Sequence, residues 1–197
     1  MSETVLVIPS RYASTRLPGK PLRLIAGKPM IQHVYERAQA AAKELGFQSI
    51  IVATDDERIQ ATCEAFGAEV CMTSPNHETG SDRLSEVVEI KQWADDTIVV
   101  NLQGDEPLTP IESLKQVAEN LASNPNASMS TLSTAIQTDA EYNDPNVVKV
   151  VTDKQGLAMY FSRAPIPFKR DEGGDVVSQF AQRHIGIYAY RAKYLKS

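Results

Sequence analysis

The chain has 197 residues, 42% of them hydrophobic and 23% charged, with a formal net charge of -5. That length suits one large α/β domain, or a domain with an extension, and the apolar content excludes wholesale disorder. The acidic balance argues against a general nucleic-acid binder, and no stretch approaches the roughly 20 apolar residues of a membrane span.

The apolar run at the N-terminus is short and preceded by Glu3, unlike a secretory signal, so a cytoplasmic protein is expected. Val5 to Ile8 predicts a buried strand. Arg11, Arg16 and Lys20 follow on a loop bearing Ser, Gly and Pro. Cations and small donors at the end of a buried strand suit a polyphosphate, since Arg and Lys make strong charge-assisted bonds to phosphate oxygens. Ligands of open α/β sheets sit beyond the carboxyl ends of strands. Pro9, Ser10, Arg11, Ser14, Arg16 and Lys20 are therefore candidate substrate-binding residues.

Pro29 is expected in the first turn of a helix from Met30 to Glu44, with Met30, Ile31, Val34, Ala38, Ala41 and Leu45 as its apolar stripe and Gly46 as its stop. Ile50 to Ala53 predicts a second strand. Thr54-Asp-Asp-Glu57 fits a capping box for a helix lined by Ile59, Cys63 and Phe66 and stopped by Gly67. Glu69 to Met72 predicts a third strand. The polar run His77-Glu-Thr-Gly-Ser-Asp-Arg83 leads into a helix capped by Ser81 and reaching about Ala94. On its own this run reads as structural, with Asp82 complementing the helix dipole and Arg83 pairing with Asp82 or Glu86. Gly80 could also offer a backbone donor to an anion, and Gly80 and Arg83 join the candidate binding set. Cys63 and Cys71 lack metal-like spacing and read as buried free thiols.

Thr97 to Leu102 predicts a fourth, very apolar strand, and Asn101-Leu-Gln-Gly-Asp-Glu-Pro107 follows at its carboxyl end. Gly104 permits a tight turn that thrusts out Asp105, while Thr109 is better placed to cap the next helix, which ends near Asn124. One carboxylate with phosphate oxygens and waters is the usual way to hold magnesium, so Asp105 is the candidate metal ligand. The alternation of strands and helices predicts a doubly wound, mostly parallel Rossmann-like sheet, although neither a dinucleotide fingerprint nor a Walker motif is present.

Past residue 128 the pattern turns β-rich: Met129–Ala135, Val147–Thr152, Ala158–Phe161 and Arg183–Tyr190 read as strands, with Lys154-Gln-Gly156 as a hairpin turn. The expected organisation is a nucleotide-binding α/β core over 1–128 and a β-rich extension over 129–197 in the same structural domain. Residues 169–182 read as a flexible loop. Arg163, His184 and Tyr188 could form a pocket for a carboxylate and hydroxyls.

Arg11-Tyr-Ala-Ser-Thr-Arg-Leu-Pro-Gly-Lys-Pro-Leu22, Val52-Ala-Thr-Asp55, Asn101-Leu-Gln-Gly-Asp-Glu-Pro107, Val148-Lys-Val150, Tyr160-Phe-Ser-Arg163 and His184-Ile-Gly-Ile-Tyr-Ala-Tyr-Arg191 together resemble the 3-deoxy-manno-octulosonate (KDO) cytidylyltransferases. The resemblance runs in order along nearly the whole chain. It implies a nucleotidyltransferase of bacterial lipopolysaccharide synthesis, cytoplasmic, magnesium-dependent and usually homodimeric, acting on CTP and an acidic eight-carbon sugar. It implies further that Arg11, Arg16 and Lys20 face the CTP phosphates and serve catalysis with Asp105, the magnesium ligand. Gln103, Arg163, His184 and Tyr188 would lie around the octulosonate. Family members continue past the equivalent of Leu195 into a Glu-Gln-Leu-Arg helix and a second metal-binding Asp, neither of which this chain contains, so weak turnover is expected of these residues alone. Other readings are a relative acting on 8-amino-KDO or a sialic acid, and a noncatalytic CTP-binding fragment.

Overall fold

A computed structural model of the chain describes residues 2–13, 17–168 and 181–197. The chain forms two compact units, Met1–Ser130 with Ile187–Ser197, and Thr131–Gly186. Residues 187–197 thus belong with the first unit rather than with the β-rich segment that precedes them.

In the first unit, β1 (Thr4–Ser10) pairs in parallel with β4 (Ser49–Thr54) on one side and with β6 (Ile98–Asn101) on the other. Beyond β4 lies β5 (Glu69–Met72), also parallel. Beyond β6 lies the second half of β10 (Gln182–Arg191), antiparallel, with Tyr188 opposite Asn101. The chain moves outward from β1 to β4 and β5, then crosses back past β1 to β6. The order therefore reverses between β1 and β6, and in open α/β sheets ligands bind beyond the carboxyl ends at this reversal. A small hairpin of β2 (Leu24–Ile25) and β3 (Lys28–Pro29) stands apart from the sheet.

Val5, Leu6, Val7 and Ile8 are completely buried, as their unbroken apolar run predicts for a strand covered on both faces. Burying each such side chain contributes about 1.5–3 kcal/mol, so β1 is a fixed base for the loop that follows. α1 (Met30–Leu45) packs on β1 and β4, and also meets α4 (Ile111–Ser123), which in turn packs on β6. α3 (Gly80–Lys91) joins a core cluster with Val5, Val7, Ile51, Ala53 and Val99 through Leu84, Val87 and Val88. The α1 stripe is as read, with Tyr35 added to its buried face and Leu45 only half-buried. Pro29 precedes α1 rather than lying in its first turn. α2 (Glu57–Ala65) is capped by Asp56, whose carboxylate accepts from the Arg58 and Ile59 N–H groups. Thr54 is drawn instead into the buried end of β4. Cys63 and Cys71 are free and buried, and burial pushes the Cys63 thiol up to about 12.

The second unit is small. β8 (Lys149–Thr152) pairs antiparallel with β9 (Ala158–Ser162) and with the first residues of β10. β7 (Met129–Ala135) also pairs with β10. The Asp153–Leu157 turn has Gly156 at φ 83, as expected of its Lys-Gln-Gly sequence. Two short helices, α5 (Asp139–Asn143) in this unit and α6 (Ala192–Leu195) in the first, are not evident from periodicity. The expected flexible loop over 169–182 lies outside the described residues up to 180, and Gln182 opens β10. Among the described residues no helix is long and apolar enough to cross a membrane.

Candidate active site at the ends of β1 and β6

The loop after β1 is closed at its neck. The Gly19 N–H donates to the Tyr12 carbonyl at 2.9 Å. Gly19 sits at φ 69, and a Cβ there would meet the Tyr12 ring at 3.0 Å, so both backbone and packing require glycine. The Arg58 guanidinium lies 3.4 Å from the centre of that ring and pairs with Asp56 at 2.6 Å. Lys20 then opens a 3-10 turn, Lys20–Leu22, from this fixed neck. Tyr12 is not singled out by the sequence; its only signal there is an aromatic in an otherwise small and polar loop.

The exit from β6 runs beside the exit from β1. The Leu102 N–H donates to the Val7 carbonyl at 3.1 Å and the Gly104 N–H to the Pro9 carbonyl at 3.2 Å. A Cβ on Gly104 would lie 2.8 Å from the Pro9 carbonyl oxygen. Glycine is needed here for close approach of two backbones, not only for a turn. Gly104→Ala is therefore expected to push the Asp105 loop away from β1 and to lower kcat/KM for the nucleotide by about a hundredfold, the scale at which misplacement by about 1 Å acts. A steady-state titration of nucleotide decides this, and an unchanged kcat/KM would refute it.

Asp105 and Lys20 meet across the site at 2.6 Å, with side chains 49% and 37% exposed. A pair this exposed is worth about 0–1 kcal/mol, so an incoming ligand can part it at little cost. Asp105 is thus ion-paired rather than free, and Thr109 does not cap α4: Pro110 occupies that position while the Thr109 hydroxyl donates to the Glu106 carbonyl. The cavity over this pair measures about 370 Å³, within the range of small-ligand sites. Pro9, Ser10, Arg11, Lys20, Gly80 and Arg83 line one part of it, with Gln103, Gly104 and Asp105 on the other. The buried Ser10 hydroxyl has no hydrogen-bond partner among the described residues, so the cavity holds an unused polar group.

Arg11 donates from Nη1 to the carbonyls of Glu78 at 3.1 Å and His77 at 3.5 Å. Ser14 and Arg16 lie outside the described residues. Gly80 is the first residue of α3, whose cap is Thr79 with Asp82 in a capping box rather than Ser81, and the helix stops at Lys91. Arg83 is completely buried and pairs with Asp55 at 3.1 Å and with the Thr73 hydroxyl, not with Asp82 or Glu86. Nothing in the local sequence points to Asp55 or Thr73 as its partners.

The other expected residues lie elsewhere. In the second unit, the Arg163 guanidinium donates to the Pro145 carbonyl at 2.8 Å, and its own carbonyl accepts from Lys149 Nζ at 2.8 Å. His184 lies within β10, against the Phe161 ring and the Thr131 hydroxyl, and burial pushes its pKa below the ordinary histidine value. In the first unit, Tyr188 stacks on Tyr190, which stacks in turn on Tyr194. Arg163 and His184 thus share the second unit, whereas Tyr188 stands in the first.

A cytidylyltransferase family profile matches residues 5–197. The chain is 58% identical over 200 residues to the 3-deoxy-manno-octulosonate cytidylyltransferase of Vibrio vulnificus, covering all of this chain and 77% of the relative. The chain belongs to the KDO cytidylyltransferase family. A second member, from Thioalkalivibrio sulfidiphilus, is 55% identical over 195 residues, covering 98% of this chain and 76% of its own. A solved structure of CMP:2-keto-3-deoxy-manno-octonic acid synthetase complexed with CTP superposes with a TM-score of 0.88 at 46% identity, over 99% of this chain and 76% of that one. A 4-diphosphocytidyl-2C-methyl-D-erythritol synthase, at 14% identity and TM-score 0.58, shares the fold alone. The mixed α/β fold with a mostly parallel central sheet, read from sequence, is the fold this chain shares with that CTP-bound synthetase structure.

Proposed function

We propose that the chain transfers CMP from CTP to the anomeric hydroxyl of 3-deoxy-manno-octulosonate, with release of pyrophosphate. The observation that carries this reading is the cavity at the sheet's reversal point, with Arg11, Lys20 and Asp105 brought together from two strand ends. The hydroxyl oxygen attacks the α-phosphorus in line, the bond from that phosphorus to the bridging oxygen breaks, and the hydroxyl proton is lost. Lys20 and Arg11 hold the phosphate oxygens on which charge grows, from positions fixed before the substrate arrives. Ser10 and Gly80 bind alongside them, with Ser14 assigned from the same loop and Arg16 from the resemblance, while Gln103 is kept for the octulosonate, as the resemblance implies.

The residues fit a single magnesium ion held jointly with substrate. Among the described residues no three His, Cys, Asp or Glu side chains cluster to hold a metal by themselves, but the half-exposed Asp105 carboxylate faces the cavity. Asp105 would hold magnesium with phosphate oxygens and waters, and the ion would supply charge neutralisation at the phosphates. We further propose a place in cytoplasmic lipopolysaccharide synthesis and a homodimer, for which the exposed apolar residues Met159, Tyr160 and Phe161 of β9 offer a surface.

Pyrophosphate release with CTP and KDO, 8-amino-KDO and a sialic acid as separate acceptors tests the reading. KDO is expected to give the highest kcat/KM, and release with none of the three would refute it. In the same assay His184→Ala is expected to raise the KM for the acidic sugar about tenfold, the effect of losing one or two polar contacts, and to leave the KM for CTP unchanged. Equal loss for both substrates would remove His184 from the sugar side. Arg163→Ala, read in parallel, is expected to raise the KM for the sugar or lower kcat while leaving CTP binding nearly intact.

A further inference from the structure

We propose that Arg83 does not contact substrate but is a positioning residue, which fixes the loop between β5 and α3 so that the loop's carbonyls present Arg11 to the cavity. The proposal rests on reading this cavity as the CTP site. The Arg83 side chain is 1% exposed, and its fork is committed to Asp55 at 3.1 Å and to the Thr73 hydroxyl. Asp55 follows the end of β4 and Thr73 the end of β5, while Arg83 itself sits in the first turn of α3. One guanidinium therefore ties two adjacent strand ends to the head of the helix. A substrate could take that fork only by breaking a buried ion pair and leaving Asp55 without its partner.

The segment from Ser74 to Thr79 hangs between these anchors. Thr73 is fixed further by its N–H and its hydroxyl, which both donate to the Thr54 carbonyl, at 2.9 and 3.2 Å. Ser74 N–H donates to the Glu86 carboxylate at 2.7 Å, and the His77 ring meets the same carboxylate. Thr79 and Asp82 close the far end as a capping box. The outward result is a pair of carbonyls, His77 and Glu78, that accept from Nη1 of Arg11. Among the described residues these are the contacts that hold the Arg11 guanidinium, and they leave its other N–H groups for phosphate. Arg83 and Arg11 are thus linked through six residues of loop without touching.

Two arginines that act through one another must be non-additive. CTP affinity measured by titration calorimetry reads this without turnover. Arg83→Lys keeps the charge beside Asp55 but cannot bridge to Thr73 as well, because a lysine offers a point charge rather than a fork. It is expected to weaken CTP binding about tenfold, on the scale of coupled contacts. Arg11→Ala should do about the same, and the double variant should be no weaker than Arg11→Ala alone. Thr73→Val keeps the Asp55 pair and should give a smaller loss, also absent in the Arg11→Ala background, so the test survives if Arg83→Lys fails to fold. Losses that multiply in the double variants, or unchanged affinity in Arg83→Lys, would overturn the proposal. Pyrophosphate release by the unaltered protein reads the assigned reaction separately, so the coupling can stand where the reaction fails, and the reverse.

Discussion

Replacing Lys20 with alanine is expected to lower turnover at saturating CTP by about a hundredfold or more, the usual loss when one preorganised charge donor is removed from a reacting centre. Among the described residues Lys20 and Arg11 are the cavity's cations with donors to spare, since Arg83 is committed to Asp55. Lys20 reaches the cavity from a turn whose shape depends on Gly19 and Tyr12, not on its own side chain. Its ion pair with Asp105 is half exposed and worth about 0–1 kcal/mol. Stability should therefore change by about 1 kcal/mol at most, a shift of about 2–4 °C in Tm for a chain of this size. The expected result is a rate defect in a normally folded protein. Near-normal turnover at saturating CTP and magnesium would sink the assignment.

Asp105→Asn should have the larger effect. Asparagine preserves shape and hydrogen bonding but removes the one carboxylate that the β6 exit aims into the cavity. Losing a charge-stabilising ligand worth about 4 kcal/mol corresponds to about a thousandfold in rate. A second measurement separates binding from chemistry. In calorimetry, magnesium should strengthen CTP binding to the unaltered protein and have much less effect on the variant. If magnesium assists both equally, Asp105 is not its ligand. If the variant instead melts early with its residual rate intact, the carboxylate is structural.

The long buried elements are legible because their chemistry is repetitive. Val5 to Ile8 is an unbroken apolar run of strand length, and it is a strand buried on both faces; the stripe from Met30 to Ala41 recurs at helical spacing, and it is a helix with one wet side. The Lys20 and Asp105 loops are legible because glycine and charge coincide at strand ends. Caps are harder: Thr54 and Asp56 both accept hydrogen bonds, and burial of the β4 end decides between them. α5 and α6, at five and four residues, are too short to display a period. Arg83 misleads because its partners stand 28 and 10 residues back along the chain and become neighbours only once β4 and β5 pair. Tyr12 escapes notice for the same reason, since Gly19 and Arg58 give it meaning only in three dimensions.

The sheet order also dictates when the site can first exist. β1 is synthesised first, yet its partner on the reversal side, β6, begins about ninety residues later. At about 5–20 residues per second, a ribosome leaves that edge of β1 open for about 5 to 20 s. Until β4 follows, both sides of Val5 to Ile8 are unpaired, and after it the β6 side stays open, the kind of edge that invites association with other chains. Covering this edge and completing the cavity are one event, because the segment that closes β1 is also the segment that delivers Asp105. A nascent chain short of that point carries the cationic loop without its acidic counterpart.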